Sequence, residues 1–123
     1  MPKSHRDLVV WEKAVALAGA ILRLTRTFPN HERWELTSQI NRAAVSVAAN
    51  IAEGAGKGTD RSLLQGLRIA RGSLAELETE ILVAISMGYV GMSSDYLQRI
   101  TEIERLLNSL MAAIRRGEKF RAP

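Results

Sequence analysis

Gly54-Ala55-Gly56-Lys57-Gly58-Thr59 sets a lysine among alternating glycines, the composition of a loop that wraps phosphate. A Walker-type loop needs G-x-x-x-x-G-K-[ST], so that backbone amides surround the phosphates and a hydroxyl reaches Mg²⁺. Here Ile51 stands where the first glycine is required, and Gly58 where the hydroxyl is required. The dinucleotide pattern G-x-G-x-x-G fails as well, because its third glycine arrives one residue early. The stretch therefore reads as a helix stop followed by a flexible turn.

Other chemistries fare no better. A carboxylate-bridged di-iron site needs inward carboxylates and Glu-x-x-His pairs, but the only histidines are His5 and His31, and neither follows a Glu by three. Glu76 and Glu80 share a helical face at i, i+4 with no histidine to join them, and read as a solvated face. No H-E-x-x-H, G-x-S-x-G or Ser/His/Asp set can be assembled. Cysteine is absent, which removes disulfides and thiol catalysis. Asn50 reads as a member of a buried polar network, and Glu53 as a partner for Arg61 across the turn. Trp11 and Trp34 could stack on bases, yet packing under helix ends is the commoner fate. The chain is expected to be non-enzymatic, with no catalytic residue, metal or cofactor.

The elements that must carry these residues follow from spacing. At 123 residues, 46% hydrophobic and 24% charged, the chain is one domain, 1–123, able to bury a core. Nothing in it resembles a secretory h-region, and no apolar run approaches the ~18 residues of a membrane span, so a cytoplasmic protein is expected. Four segments carry apolar residues three and four apart, and none alternates as a strand would. They are Val10, Ala14, Leu17, Ile21, Leu24, Phe28; then Leu36, Ile40, Ala43 or Ala44, Val47, Asn50 or Ile51; then Leu63, Leu67, Ala70, Leu74, Leu77, Ile81, Ala84, Gly88; and finally Tyr96, Ile100, Ile103, Leu107, Leu110, Ile114. Pro29 breaks the first from the second, Thr59 or Asp60 caps the third, and Ser93 or Ser94 the fourth. Helices over about 8–27, 31–54, 60–88 and 94–116 joined by short turns predict an all-α, up-down-up-down antiparallel four-helix bundle. Folding back about Lys57 would set Gly72 against Ala43 or Ala44, as the closest approach of the second and third helices. Leu8, Val9, Leu22, Leu64, Ile69, Leu82, Val83, Leu97, Leu106 and Met111 fall outside the stripes, an apolar excess that predicts a homo-oligomer.

Five blocks are distinctive: Asp7 to Ala14 (DLVVWEKA), Phe28-Pro29, Leu36 to Ile40 (LTSQI), Arg42 to Gly54 (RAAVSVAANIAEG) and Ala70 to Leu77 (ARGSLAEL). On these the chain resembles, over about residues 7 to 110, the four-helix-bundle proteins encoded in intervening sequences of bacterial 23S rRNA genes. That group is related to the accessory variability proteins of diversity-generating retroelements. Arg42, Asn50, Glu53, Gly54, Arg71, Gly72 and Glu76 are the family-motif residues the resemblance marks as structural. It implies a non-enzymatic homopentamer around a central channel, binding RNA or an RNA-bearing reverse transcriptase. Asn41 stands where the family commonly has a second basic residue, and Leu63-Leu64 where an aromatic is common, so any basic cluster on the second helix reduces to Arg42.

Charge points to a partner and a place. The net charge is +4 and the pI near 10.0, which favours an anion such as RNA or DNA. In the predicted topology Lys3, Arg6, Lys57, Arg61, Arg115, Arg116, Lys119 and Arg121 gather at one end, against Asp7, Glu53, Asp60 and Glu118, leaving the whole +4 there. Cyclic assembly would place every copy of that end on one face of a ring. The expectation is thus a nucleic-acid-binding homo-oligomer; the alternative is a structural or protein-binding adaptor.

Overall fold

Apolar residues spaced three and four apart bury a face only where that face meets other helices. The computed structural model describes His5 and residues 8–117, which form α1 (Val9–Thr25), α2 (Leu36–Gly56), α3 (Asp60–Ser86) and α4 (Tyr96–Arg115). A 3-10 turn lies at Asn30–Glu32, and no strand occurs among the described residues. Helices α1 and α3 each pack on α2 and α4, while among the described residues the diagonal pairs stay apart. Short connections between sequential neighbours make this square an up-down-up-down antiparallel bundle, an all-α fold.

Local chemistry sets the ends. Phe28 is buried and precedes Pro29, so α1 stops at Thr25. Residues 31–35, expected to open the second helix, form the 3-10 turn and its exit instead. Position 35 holds Glu35, which offers no short side-chain oxygen to the first free amides, and α2 starts at Leu36 without a side-chain cap. Gly54 and Gly56 were expected to stop α2, yet both remain helical. The turn residue is Gly58, whose φ of 80° lies in the left-handed region that glycine occupies without penalty. Thr59 caps α3, its Oγ1 accepting from the Ser62 amide at 3.0 Å. Asp95, rather than Ser93 or Ser94, occupies the cap position of α4, without a side-chain bond.

The predicted stripes meet in one core, where Ile21, Ile40, Ile51, Leu67, Leu77, Ile81 and Leu107 are fully buried. Each such side chain contributes ~1.5–3 kcal/mol relative to exposure. Two residues expected on the surface, Leu8 and Met111, belong to this core as well. Gly88, expected on the third stripe, is exposed, and Leu24, Leu36, Tyr96 and Leu110 are half-buried at its margin. Val9, Leu22, Ile69, Leu82 and Val83 do remain exposed.

Helices α2 and α3 make the most extensive contact, and their register corrects the one expected. Gly72 is exposed, and a Cβ there would meet nothing within 4 Å. The close approach is between Gly54 and Gly66 instead: a Cβ on Gly66 would lie 2.5 Å from the Asn50 carbonyl oxygen and 2.8 Å from Gly54 Cα. These two glycines are equidistant from Asp60, so the fold-back pivots at residue 60 rather than 57, and every expected pairing across the turn slides accordingly.

Backbone atoms cannot step aside as a flexible side chain can. Gly66→Ala should therefore destabilise by ~1–3 kcal/mol through overpacking, despite alanine's better helix propensity. Gly72→Ala should leave stability unchanged or raise it by up to ~1 kcal/mol. Thermal melts of the two variants check this; equal melting temperatures would place the close approach elsewhere.

Candidate functional site

A row of residues spaced by four on α2, Arg42, Ser46, Asn50 and Gly54, faces a row spaced by seven on α3, Gly66, Ser73 and Glu80. Ser46 Oγ and Ser73 Oγ lie 2.8 Å apart across this seam. Asn50, half-buried, donates through Nδ2 to the Ser46 carbonyl at 2.8 Å and to Ser46 Oγ at 2.9 Å. Both amide hydrogens are thereby used, and Oδ1 keeps its acceptor capacity. Elsewhere Thr25 Oγ1 donates to Asn41 Oδ1 at 2.8 Å between α1 and α2, and Arg71 Nη1 to Asn108 Oδ1 at 3.0 Å between α3 and α4.

Absence of side chains at Gly54 and Gly66 leaves an indentation outside their contact. This groove, about 500 Å³, is flanked by Asn50, Glu53 and Lys57 of α2 and by Arg61, Gln65 and Arg68 of α3. Lys57 Nζ lies 3.7 Å from Glu53 Oε1, an exposed i, i+4 pair. Glu53 thus takes Lys57 as its ion-pair partner, rather than the Arg61 expected, because both lie on one helix face one turn apart.

Of the basic residues expected at one end, Lys57 is the C-cap of α2, Arg61 lies in the first turn of α3, and Arg115 and Arg116 close α4. All four are exposed, and the antiparallel topology brings them to the same end of the bundle. Lys3, Arg6, Lys119 and Arg121 lie outside the described residues. Sequence reasoning missed Arg68 and Gln65; their spacing of seven and four from Arg61 was the available signal.

Two other expectations change. Glu76 is exposed, but Glu80 is only 7% exposed, and its Oε1 lacks a hydrogen-bond partner among the described residues. Burial first, then the charge and hydrogen bond of Glu76, push the Glu80 carboxyl up to about 7, partly offset by the Arg42 charge. Glu80 sits at the edge of the α3 stripe, three residues after Leu77, where periodicity does not decide between core and solvent. Trp34 is the second change: it is 79% exposed, with the Arg33 guanidinium 4.9 Å from its ring centroid, whereas Trp11 is half-buried against His5. Near Trp34, the Tyr89 hydroxyl donates to Glu32 at 2.8 Å and pins the 3-10 turn to the α3–α4 connection.

Fold and site together define a small basic antiparallel four-helix bundle with a charged, carboxamide-lined groove beside its α2–α3 turn. The model of the 23S rRNA-intervening sequence protein family matches residues 6–109. The chain belongs to that family. A crystal structure of a protein of unknown function from the S23 ribosomal protein family of Bacteroides thetaiotaomicron is similar, with a TM-score of 0.78 and 26% identity over 85% of this chain and 96% of that one. A search of curated protein sequences returns no significant match. Among the described residues, no helix is long and apolar enough to cross a membrane.

The Glu80 carboxyl fixes the sign of one pH effect. Its value in the fold lies above its ordinary value, so the native state holds the proton more tightly than the unfolded chain. Stability is fully present below about pH 4.5 and is lost as pH rises through about 7. Glu80→Gln should melt above the parent at pH 8, by ~1–3 kcal/mol, and close to it at pH 4.5. A difference independent of pH would mean that Glu80 is solvated.

Proposed function

We propose that the protein is a non-enzymatic, cytoplasmic RNA-binding homo-oligomer. One observation carries this reading: Lys57, Arg61, Arg115 and Arg116 are exposed at a single end of the bundle. Clustered cations attract phosphate irrespective of sequence, and releasing the counterions of the nucleic acid supplies much of the affinity. The net charge of +4 favours the same class of partner. Exposed Val9, Val15 and Leu22 on α1 and Leu82 and Val83 on α3 support self-association, since a small monomer gains by covering such surface. A cyclic ring, with a pentamer the form implied by resemblance, would align the basic ends on one face. A reverse transcriptase carrying RNA, or DNA itself, would present the same phosphate charge. The adaptor reading requires no nucleic acid at all.

Electrophoretic shift of RNA at increasing salt separates the two. Log affinity should fall steeply with log salt, and changing Lys57, Arg61, Arg115 and Arg116 to Gln should flatten the slope by ~0.7–0.9 for each phosphate no longer neutralised. Changing Arg23 and Arg26, at the opposite end, should do little. Absence of binding at low salt leaves the adaptor; equal weakening by the two sets removes the one-ended face.

Light scattering at micromolar concentration should give a mass several times 13.6 kDa. A clean monomer removes the ring.

A further inference from the structure

The groove beside Gly54 and Gly66 forms a concave part of the basic end. At about 500 Å³ it falls within the ~300–1,000 Å³ typical of small-ligand pockets, room for one nucleotide but not for a duplex. Lys57, Arg61 and Arg68 give three positive charges against the single carboxylate of Glu53. Beside them lie groups suited to a base. Gln65 carries both a donor and an acceptor, and Asn50 retains its Oδ1 acceptor once Ser46 has taken the amide hydrogens. Arginine guanidinium planes stack on exposed bases, and Ile69 supplies an apolar wall that is otherwise 44% exposed.

A base within a duplex is stacked and paired, and presents this groove with phosphates alone. An unpaired strand can splay a base outward, so that its phosphate meets the cations while its edge meets the carboxamides. We propose that the α2–α3 groove seats one splayed nucleotide of a single-stranded RNA, so that the protein selects unpaired over duplex RNA. This rests on the RNA-binding reading and specifies its substrate. Glu53 opposes the incoming phosphate and competes for Lys57, and so sets a ceiling on affinity.

Fluorescence anisotropy of the full chain with labelled oligouridylate, and with the adenylate–uridylate duplex, tests this at one fixed salt concentration. The single strand should bind about tenfold more tightly than the duplex, although the duplex has the higher charge density. Arg68→Gln and Gln65→Ala should each weaken the single strand by ~3- to 10-fold, with melting curves like the parent's; Gln65→Ala should leave duplex binding unchanged, and Arg68→Gln should weaken the duplex less than the single strand. Glu53→Gln should tighten both. Uridine monophosphate should displace the single strand at concentrations where inorganic phosphate does not. Equal or tighter duplex binding, or a single strand indifferent to Arg68→Gln and to uridine monophosphate, overturns the groove. If both RNAs bind equally and only Arg115 and Arg116 matter, the RNA-binding reading stands without it. If neither RNA binds at low salt, both fall.

Discussion

Two helices whose backbones touch cannot slide or rotate against one another, and Gly54 against Gly66 puts α2 and α3 in that condition. The contact is local, but helical periodicity propagates it. With Gly54 fixed, Asn50, Ser46 and Arg42 follow on the same ridge at successive turns, and Gly66 fixes Ser73 and Glu80 in turn. The Ser46–Ser73 hydrogen bond is therefore a consequence of the glycine pair rather than an independent feature. Glycine in a helix interior costs ~1 kcal/mol relative to alanine, and close packing of two backbones is what offsets it here. The same missing side chains that bring the helices together leave the outer surface indented. Packing and groove have a single cause.

The seam is polar along much of its length, and its two ends behave differently. At Ser46, Asn50 and Ser73 both hydroxyls and the amide nitrogen find partners, so little stability is lost. At Glu80 one carboxylate oxygen is buried without a partner among the described residues, a situation that costs ~1–3 kcal/mol when the group is ionised. The bundle tolerates this because the apolar core alone contains many fully buried isoleucines and leucines. Antiparallel packing keeps this pH-sensitive carboxyl away from the α2–α3 turn, where Lys57, Arg61 and the groove lie. Titration of Glu80 thus bears on stability, and the charges at the turn remain outside its reach.

Helix number, bundle topology and most core positions were legible because they depend on periodicity, which a sequence displays directly. Register was not legible, since it depends on where a turn pivots. The run of glycines offered Gly54, Gly56 and Gly58 as stops, and only left-handed backbone at Gly58 distinguishes the true one. Misplacing the pivot by three residues set Ala43 against Arg71 and Gly72, six residues short of the position near Leu77 that a pivot at residue 60 pairs with it. Boundary positions were the other blind spot: Glu80, Leu8 and Met111 sit where a stripe edge can face core or solvent, and neighbouring helices decide. Trp34 reversed its expected role because the chain leaves the 3-10 turn before α2 begins, so no helix end lies over it. The cluster of cations at one end was legible, but the concavity beside it was not, because that required knowing that two glycines meet.

Helix electrostatics separates the cations of the basic end into two kinds. Lys57, Arg115 and Arg116 stand at helix C-termini, where the macrodipole favours positive charge by ~0.3–1 kcal/mol, and they would stabilise their helices with no partner present. Arg61 is in the first turn of α3, at the positive end of the dipole, where a cation is disfavoured by a similar amount. Arg68 lies two turns further on, beyond the reach of either terminus. Exposed pairs such as Lys57–Glu53 contribute ~0–1 kcal/mol and do not decide where charge is placed. The helices themselves thus supply no reason for Arg61 and Arg68, yet these two flank the groove from α3. Their positions make sense as part of a surface that meets an anion, and the cations that best distinguish binding from helix stabilisation are those on α3 rather than those at the end of α4.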